Sequence, residues 1–299
     1  MSTSVTKARS ANKAQRTDRI ATGVLYGVAG FFLLLLAAFT IYILFRGGRA
    51  ALILSSANSE GIGAQLFNTI YLVVLSLLIS TPIGICAGIY MAEYMQEGRI
   101  ASFIRTCIET LSSLPSIVVG LFGYLVFLVM THSSYNLVAG ALTVSILNLP
   151  LVTTTTEDAL RAIPKYYKEG SLGIGATHWQ TIARVLVPAS IPRIITGVIL
   201  AGGRAFGEAA ALLYIVGTGT DVNFKNWNIT SPMSPLNPFR SSETLAMHIW
   251  DMNTNPSVPH AHEQADFSAA ILIIMVFVFS LGARFIGNAL ERKMTGNKQ

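Results

Sequence analysis

Long apolar runs free of charge recur along the chain, separated by short polar or basic connections. Ile20 to Phe45 is the first, 26 residues without Asp, Glu, Lys or Arg. At 1.5 Å per residue, about 20 residues cross a hydrocarbon layer as a helix, so this run predicts a membrane span. It is too long for the apolar core of a signal peptide and has no small-x-small cleavage site, so it is read as a retained span. A second span is predicted between Glu60 and Glu93. From Thr110 to Thr156 there are 47 consecutive uncharged residues, too many for one crossing. The polar stretch Thr131-His132-Ser133-Ser134-Tyr135-Asn136 divides them into spans at Leu114–Met130 and Leu137–Val152. Ile191–Val216 is a fifth span, unusual in containing Arg204 and Glu208, and Phe267–Gly287 is a sixth.

The pattern thus predicts an all-α integral membrane protein of six transmembrane helices. A leader occupies residues 1–19, the membrane domain 20–288 and a tail 289–299. Composition agrees: 52% of residues are hydrophobic and only 12% charged, whereas a soluble domain carries about 25% charged residues. The net charge of +6 would suit nucleic acid or anionic lipid, and the positions of the cations decide between them. Of the 21 Lys and Arg, 16 fall in the leader, the tail and the connections on their side. Four (Arg46, Arg49, Lys225, Arg240) fall on the other side, and Arg204 lies within the membrane. The positive-inside bias places both termini in the cytoplasm of a membrane facing lipid, and it accounts for the charge without nucleic acid. Cys86 falls in a span and Cys107 in a cytoplasmic segment, so no disulfide is expected.

Two connections are long. Residues 217–266 contain Pro232, Pro235, Pro238, Pro256 and Pro259 and predict an ordered outer loop with turns. Residues 157–190 lie on the cytoplasmic side and are amphipathic. There Pro164 suits a helix start, Gly173 and Gly175 suit its end, Thr177-His178-Trp179-Gln180 fits a capping box, and Pro188 and Pro192 should limit further helix. No phosphate-cradling G-x-x-x-x-G-K-[ST] run occurs, so the chain is not expected to hydrolyse ATP.

On one face of the fifth span, Gly197, Ala201, Arg204, Glu208 and Ala211 recur at spacings of four and three. A charge at membrane depth costs at least ~2.5–3.5 kcal/mol and is expected to face an interior or a wet path. Arg204 offers a planar fork that fits a tetrahedral oxyanion, which Glu208 would hold or neutralise. The alternative is a static Arg204–Glu208 pair that only fixes packing. The His260-Ala261-His262-Glu263 segment has too few ligands to assign a metal. The glycines of Gly84–Gly88 and Gly203–Gly207 are read as helix-packing positions.

The loop Glu169-Gly170-Ser171, three residues, Gly175, nine residues, Val185-Leu186-Val187-Pro188 resembles the cytoplasmic loop of ABC importer permeases. Ile89–Tyr94, Leu114–Gly123, Leu149-Pro150, Thr155-Thr156-Glu157 and Gly203–Ala210 are similar to the PstA-type permeases of phosphate importers. The resemblance implies the type I permease fold, with Glu169, Gly170, Ser171, Gly175, Val185, Val187 and Pro188 in coupling helices that dock on an ATPase. It also implies a second, nonidentical PstC-type permease, two copies of a PstB-type ATPase that consume ATP and Mg²⁺, and an extracytoplasmic PstS-type phosphate-binding protein. It assigns Arg204, Glu208 and Glu157 to the substrate path. Relatives read Arg-Thr-Thr-Glu where this chain has Thr154-Thr155-Thr156-Glu157, so a charge partner for Glu157 must come from elsewhere, or Glu157 is a helix-capping acid. Sulfate or molybdate import is the alternative substrate reading. A membrane enzyme acting on a lipid phosphate is disfavoured because no nucleophile cluster is present, and a non-transporting scaffold would have no need of an ATPase.

Overall fold

The computed structural model describes residues 2–56, 62–218, 222–255 and 257–295; Glu60, Pro256 and the end of the tail lie outside them. The described residues are helical, with no strand among them. Helix α1 spans Ser2–Ser56, α2 Gly63–Glu93, α5 Leu137–Arg161, α8 Val187–Phe206 and α10 Ala261–Thr295. Five stretches are long and apolar enough to cross a membrane: Thr17–Ser55, Gly63–Glu93, Leu137–Arg161, His178–Phe206 and Ala261–Ala289. A sixth candidate is a bent pair in which α3, Arg99–Ser113, meets the segment Ser116–Val129 at 97°.

That segment comprises α4, Ser116–Tyr124, and a π-helical turn at Leu125–Val129. The bend has a local cause. Leu114 precedes a proline and is extended, with φ −64° and ψ 136°, because the Pro115 ring excludes the helical region for its predecessor. Helix α3 was expected only as a cytoplasmic connection. It is amphipathic and nearly unburied, with Ile100 and Phe103 exposed, which suits a helix lying along a membrane surface.

Small residues set the central packing. Helices α2 and α5 run parallel, and a Cβ on Gly84 would sit 2.8 Å from Val152 and one on Gly88 2.5 Å from Thr156. Ser145 donates to the Ser76 carbonyl at 3.0 Å between them. Such close approach is how membrane helices associate where lipid offers no hydrophobic driving force. The main core gathers Leu72, Val73, Leu137, Val144, Phe206, Leu212, Ile215 and Val216.

Helices α1 and α10 are antiparallel and joined by an Arg46–Asp266 ion pair at 2.6 Å, so both termini lie on one side. The connection between α5 and α8 lies on that side too, since Gly287 near the end of α10 faces Ile195 near the start of α8.

Two boundaries differ from expectation. The fifth span was expected at Ile191–Val216, with Pro188 and Pro192 limiting helix before it. Instead the helix runs from His178 to Phe206. A π-helical turn at Ile182–Leu186, closed by a Val187 N–H bond to the Ile182 carbonyl, widens the helix just before Pro188. This relieves the clash a proline ring makes with the carbonyl four residues earlier. At the other end, α8 stops at Phe206 and residues 207–216 fold into buried turns in which Leu212, Ile215 and Val216 are fully buried.

The connection between α8 and α10 holds α9, Leu245–Thr254, capped by the Thr244 side chain. Its anchor is a buried polar cluster. Arg240 donates to Asn68 Oδ1 and Ser242 Oγ, while Glu243 accepts from Gln65 at 3.2 Å and meets His248 Nδ1 at 3.0 Å. Burial pushes the Arg240 guanidinium below its ordinary pKa. The cluster ties the proline-rich loop to the first turns of α2.

Candidate functional site

The connection on the side of the termini folds as a two-helix knob. Helix α6, Lys165–Gly173, begins after Pro164. Gly175 then takes φ +86°, a left-handed conformation that a side chain would strain. Helix α7, His178–Thr181, starts at the expected capping box, with Thr177 accepting from the Gln180 N–H at 3.2 Å and Gln180 accepting from the Thr177 N–H at 2.9 Å.

Three features fasten the knob to the membrane helices. Leu160, Ile182 and Leu186 form a buried cluster, with Ile89, Ile163 and Val187 against it. Lys168 Nζ reaches Glu93 at the end of α2 at 2.6 Å. The His178 ring stands edge-on to Tyr94 with centroids 5.1 Å apart. Ser171 and Thr181 share a hydrogen bond of 2.9 Å that ties α6 to α7. A cleft of about 500 Å³ lies where Glu93, Arg161, Lys168 and Glu169 converge.

The outer surface of the knob has the opposite character. No residue of α6 is buried, and Tyr166 is 66% exposed, Trp179 62% and Ile174 87%. Large apolar side chains thus project at high density from a polar loop, the composition common at protein–protein contact surfaces. Of the residues expected to couple, Ser171 and Val187 serve inside the knob, Val185 and Pro188 are half-buried, and Glu169, Gly170 and Gly175 lie on its exposed side.

Glu157 lies inside α5, 3% exposed, and so is not a capping acid. One of its oxygens accepts from Arg105 of α3 at 2.5 Å and from Arg161 at 2.9 Å. Arg161 also donates to the Met91 carbonyl at the end of α2, at 3.4 Å. The charge that Thr154 does not supply therefore comes from Arg105 and Arg161, and Thr154 bonds back to the Pro150 carbonyl at 2.9 Å. Arg161 is the i,i+4 partner that helical spacing itself points to, whereas Arg105 carries no such signal, since its pairing depends on the bend at Pro115.

Glu157→Gln leaves both guanidiniums facing a neutral amide. With each arginine side chain more than 40% exposed, the loss is about 1 kcal/mol per pair. Hydrogen exchange across 99–113 is expected to rise about fivefold, with a matching fall in transport. Adding Arg105→Ala should then change little, because the coupling it reports is already gone.

Arg204 and Glu208 do not share a helical face. Helix α8 ends between them, and the Glu208 carboxylate accepts from the Ala211 N–H at 3.0 Å, capping the turn that follows. Among the described residues no ion pair joins Arg204 to Glu208, so the static pair does not form. Arg204 is exposed and makes no side-chain hydrogen bond to a described residue. Ala211, on the capped turn, packs its backbone 2.6–2.7 Å from where a Gly120 Cβ would stand. The turn is therefore held rigidly between α4 and α8, and Arg204 projects beside it.

Residues 84–296 match the family described as binding-protein-dependent transport system inner membrane component. The chain belongs to that family of ABC importer permeases. It is 45% identical over 289 residues to the probable ABC transporter permease protein YqgI of Bacillus subtilis, covering 94% of this chain and 98% of that protein. It is 31% identical to the phosphate transport system permease protein PstA of Xylella fastidiosa strain 9a5c, covering 75% and 74% of the two chains. A bacterial alginate ABC transporter solved with its substrate-bound periplasmic protein contains a chain of the same fold, with a TM-score of 0.63 at 16% identity over 94% of this chain and 98% of that one.

The type I permease fold follows from this likeness, and the division of labour follows from the family. An ABC permease is a transport subunit and not an enzyme; its ATPase is a separate partner, and a substrate-binding protein works with it.

Proposed function

We propose that this permease forms half of the translocation path for inorganic phosphate, with Arg204 as the cation that meets the anion. The supporting observation is Arg204 itself: a guanidinium on a membrane helix, exposed and without an acidic partner among the described residues, which is costly unless a wet path or an anion faces it. The similarity to PstA proteins supports phosphate as that anion.

In this reading the termini and the knob are cytoplasmic, in the inner membrane. The other half of the path is a second, nonidentical permease of the PstC type. Two PstB-type ATPase subunits, using ATP and Mg²⁺, press on the knobs, and a PstS-type binding protein delivers phosphate from outside. Glu208 holds the turn beside Arg204 instead of pairing with it. Glu157 acts one level below, fixing α3 and the end of α5 to the knob.

The test is ATP-dependent uptake of radiolabelled phosphate by the reconstituted complex, with sulfate or molybdate as competitor. Uptake that excess sulfate leaves unchanged and that unlabelled phosphate abolishes is expected. Efficient competition by sulfate or molybdate assigns the path to another oxyanion, which an arginine fork alone would also accept.

A further inference from the structure

Gly203 and Gly207 were expected to serve close helix packing, and they do not. A Cβ on Gly203 would meet nothing within 4 Å, and one on Gly207 only a carbonyl of its own turn at 3.8 Å. The two glycines instead open one wall of a groove of about 590 Å³ between the end of α8, α1 and α10. Phe39 of α1 and Leu272, Val276, Phe277 and Leu281 of α10 line it, and Arg284 closes one end. From Leu272 to Arg284 the groove follows α10 for about 18 Å at the helical rise.

Arg284 ends the apolar run that begins at Phe267, on the side of the two termini. It is exposed, and among the described residues it has no hydrogen-bond or ion-pair partner. A long, narrow apolar channel along the bilayer normal, terminated by a single free guanidinium at interfacial depth, is complementary to one molecule in particular: a lipid with an extended acyl chain and a negative headgroup. Its chain follows α10 past the two glycines, and its phosphate is held by the Arg284 fork.

We infer that this groove is a binding site for an anionic phospholipid of the leaflet on the side of the termini. Arg204 itself does not line the groove, and the inference does not depend on which solute the permease carries.

The test uses the assembled transporter in phosphatidylcholine vesicles containing a trace of phosphatidylglycerol or of phosphatidylcholine, each with a photoactivatable acyl chain. Photolysis is expected to place adducts on residues 272–281 of α10 and 39–40 of α1. The yield from phosphatidylglycerol should be about fivefold higher, the preference one cation near a bilayer surface confers. Arg284→Gln, on an exposed side chain, should equalise the two headgroups. Gly203→Leu should fill the groove and reduce adducts from both. Equal yields from the two headgroups in the unaltered complex would reduce the groove to ordinary lipid contact and overturn the inference. So would the absence of lipid adducts from residues 272–281 in the assembled transporter, the result expected where the second permease covers the groove.

Discussion

Replacing Arg204 by alanine is expected to lower phosphate uptake by roughly 10- to 100-fold while the complex still assembles. The magnitude follows from a charge-assisted hydrogen bond, worth about 1.5–3 kcal/mol to an anion, at tenfold per 1.4 kcal/mol. Assembly should survive because the Arg204 side chain is exposed and makes no hydrogen bond or ion pair among the described residues. Arg204→Lys keeps the charge but loses the planar fork, so it should fall between the two. Glu208→Gln is a useful contrast. The amide oxygen can still accept from the Ala211 N–H, so uptake should change far less than with Arg204→Ala. An effect of Glu208→Gln as large as that of Arg204→Ala would mean that the two act as a charge pair during transport.

The second large effect is expected at the tip of the knob. Ile174 is 87% exposed in the free chain, one residue before the left-handed Gly175. Burying such a side chain against a partner stabilises the contact by about 1.5–3 kcal/mol. Ile174→Asp removes that contribution and adds the cost of burying an unpaired carboxylate. Transport and the stimulation of ATP hydrolysis by the loaded binding protein should both fall at least ~10-fold. ATP hydrolysis by the isolated ATPase is untouched, since that subunit is unaltered. Ile174→Val should be close to neutral. Because the Ile174 side chain is almost wholly exposed, its loss should not unfold the permease.

The membrane helices were legible because their signal is collective. Twenty apolar residues between basic connections leave little else for a chain to do, and the knob was legible because capping boxes and glycine stops are local chemistry. The failures share one cause, which is that position along a helix does not reveal where the helix ends or bends. The face running through Gly197, Arg204 and Glu208 is sound arithmetic, but α8 stops at Phe206 and the Glu208 carboxylate captures a backbone N–H instead.

The same limit hid Arg105. Only the extended Leu114 before Pro115 turns α3 through nearly a right angle and brings Arg105 against Glu157, and that tertiary pairing has no periodic signature. Prolines were read with mixed success. Pro115 bends the chain at the boundary where the third span was expected to begin, whereas Pro188, expected to limit helix, lies within one because the preceding π turn makes room for it, and Pro192 lies inside α8. Gly203 and Gly207 fitted a packing motif by spacing alone. What decides such a motif is whether another helix occupies the gap, and here none from this chain does.

The central claim is that a separate ATPase drives these helices by gripping the knob between α5 and α8, and one cross-linking measurement tests it directly. Ile174→Cys is introduced with Cys86→Ser and Cys107→Ser, since both native thiols are exposed, and the whole complex is treated with a short bifunctional thiol reagent. A covalent adduct between the knob and the ATPase subunit, with a yield that changes when ATP is bound, is the result expected. Labelling of that thiol from outside the cell by a reagent that cannot cross the membrane, with no adduct to the ATPase, would contradict the account.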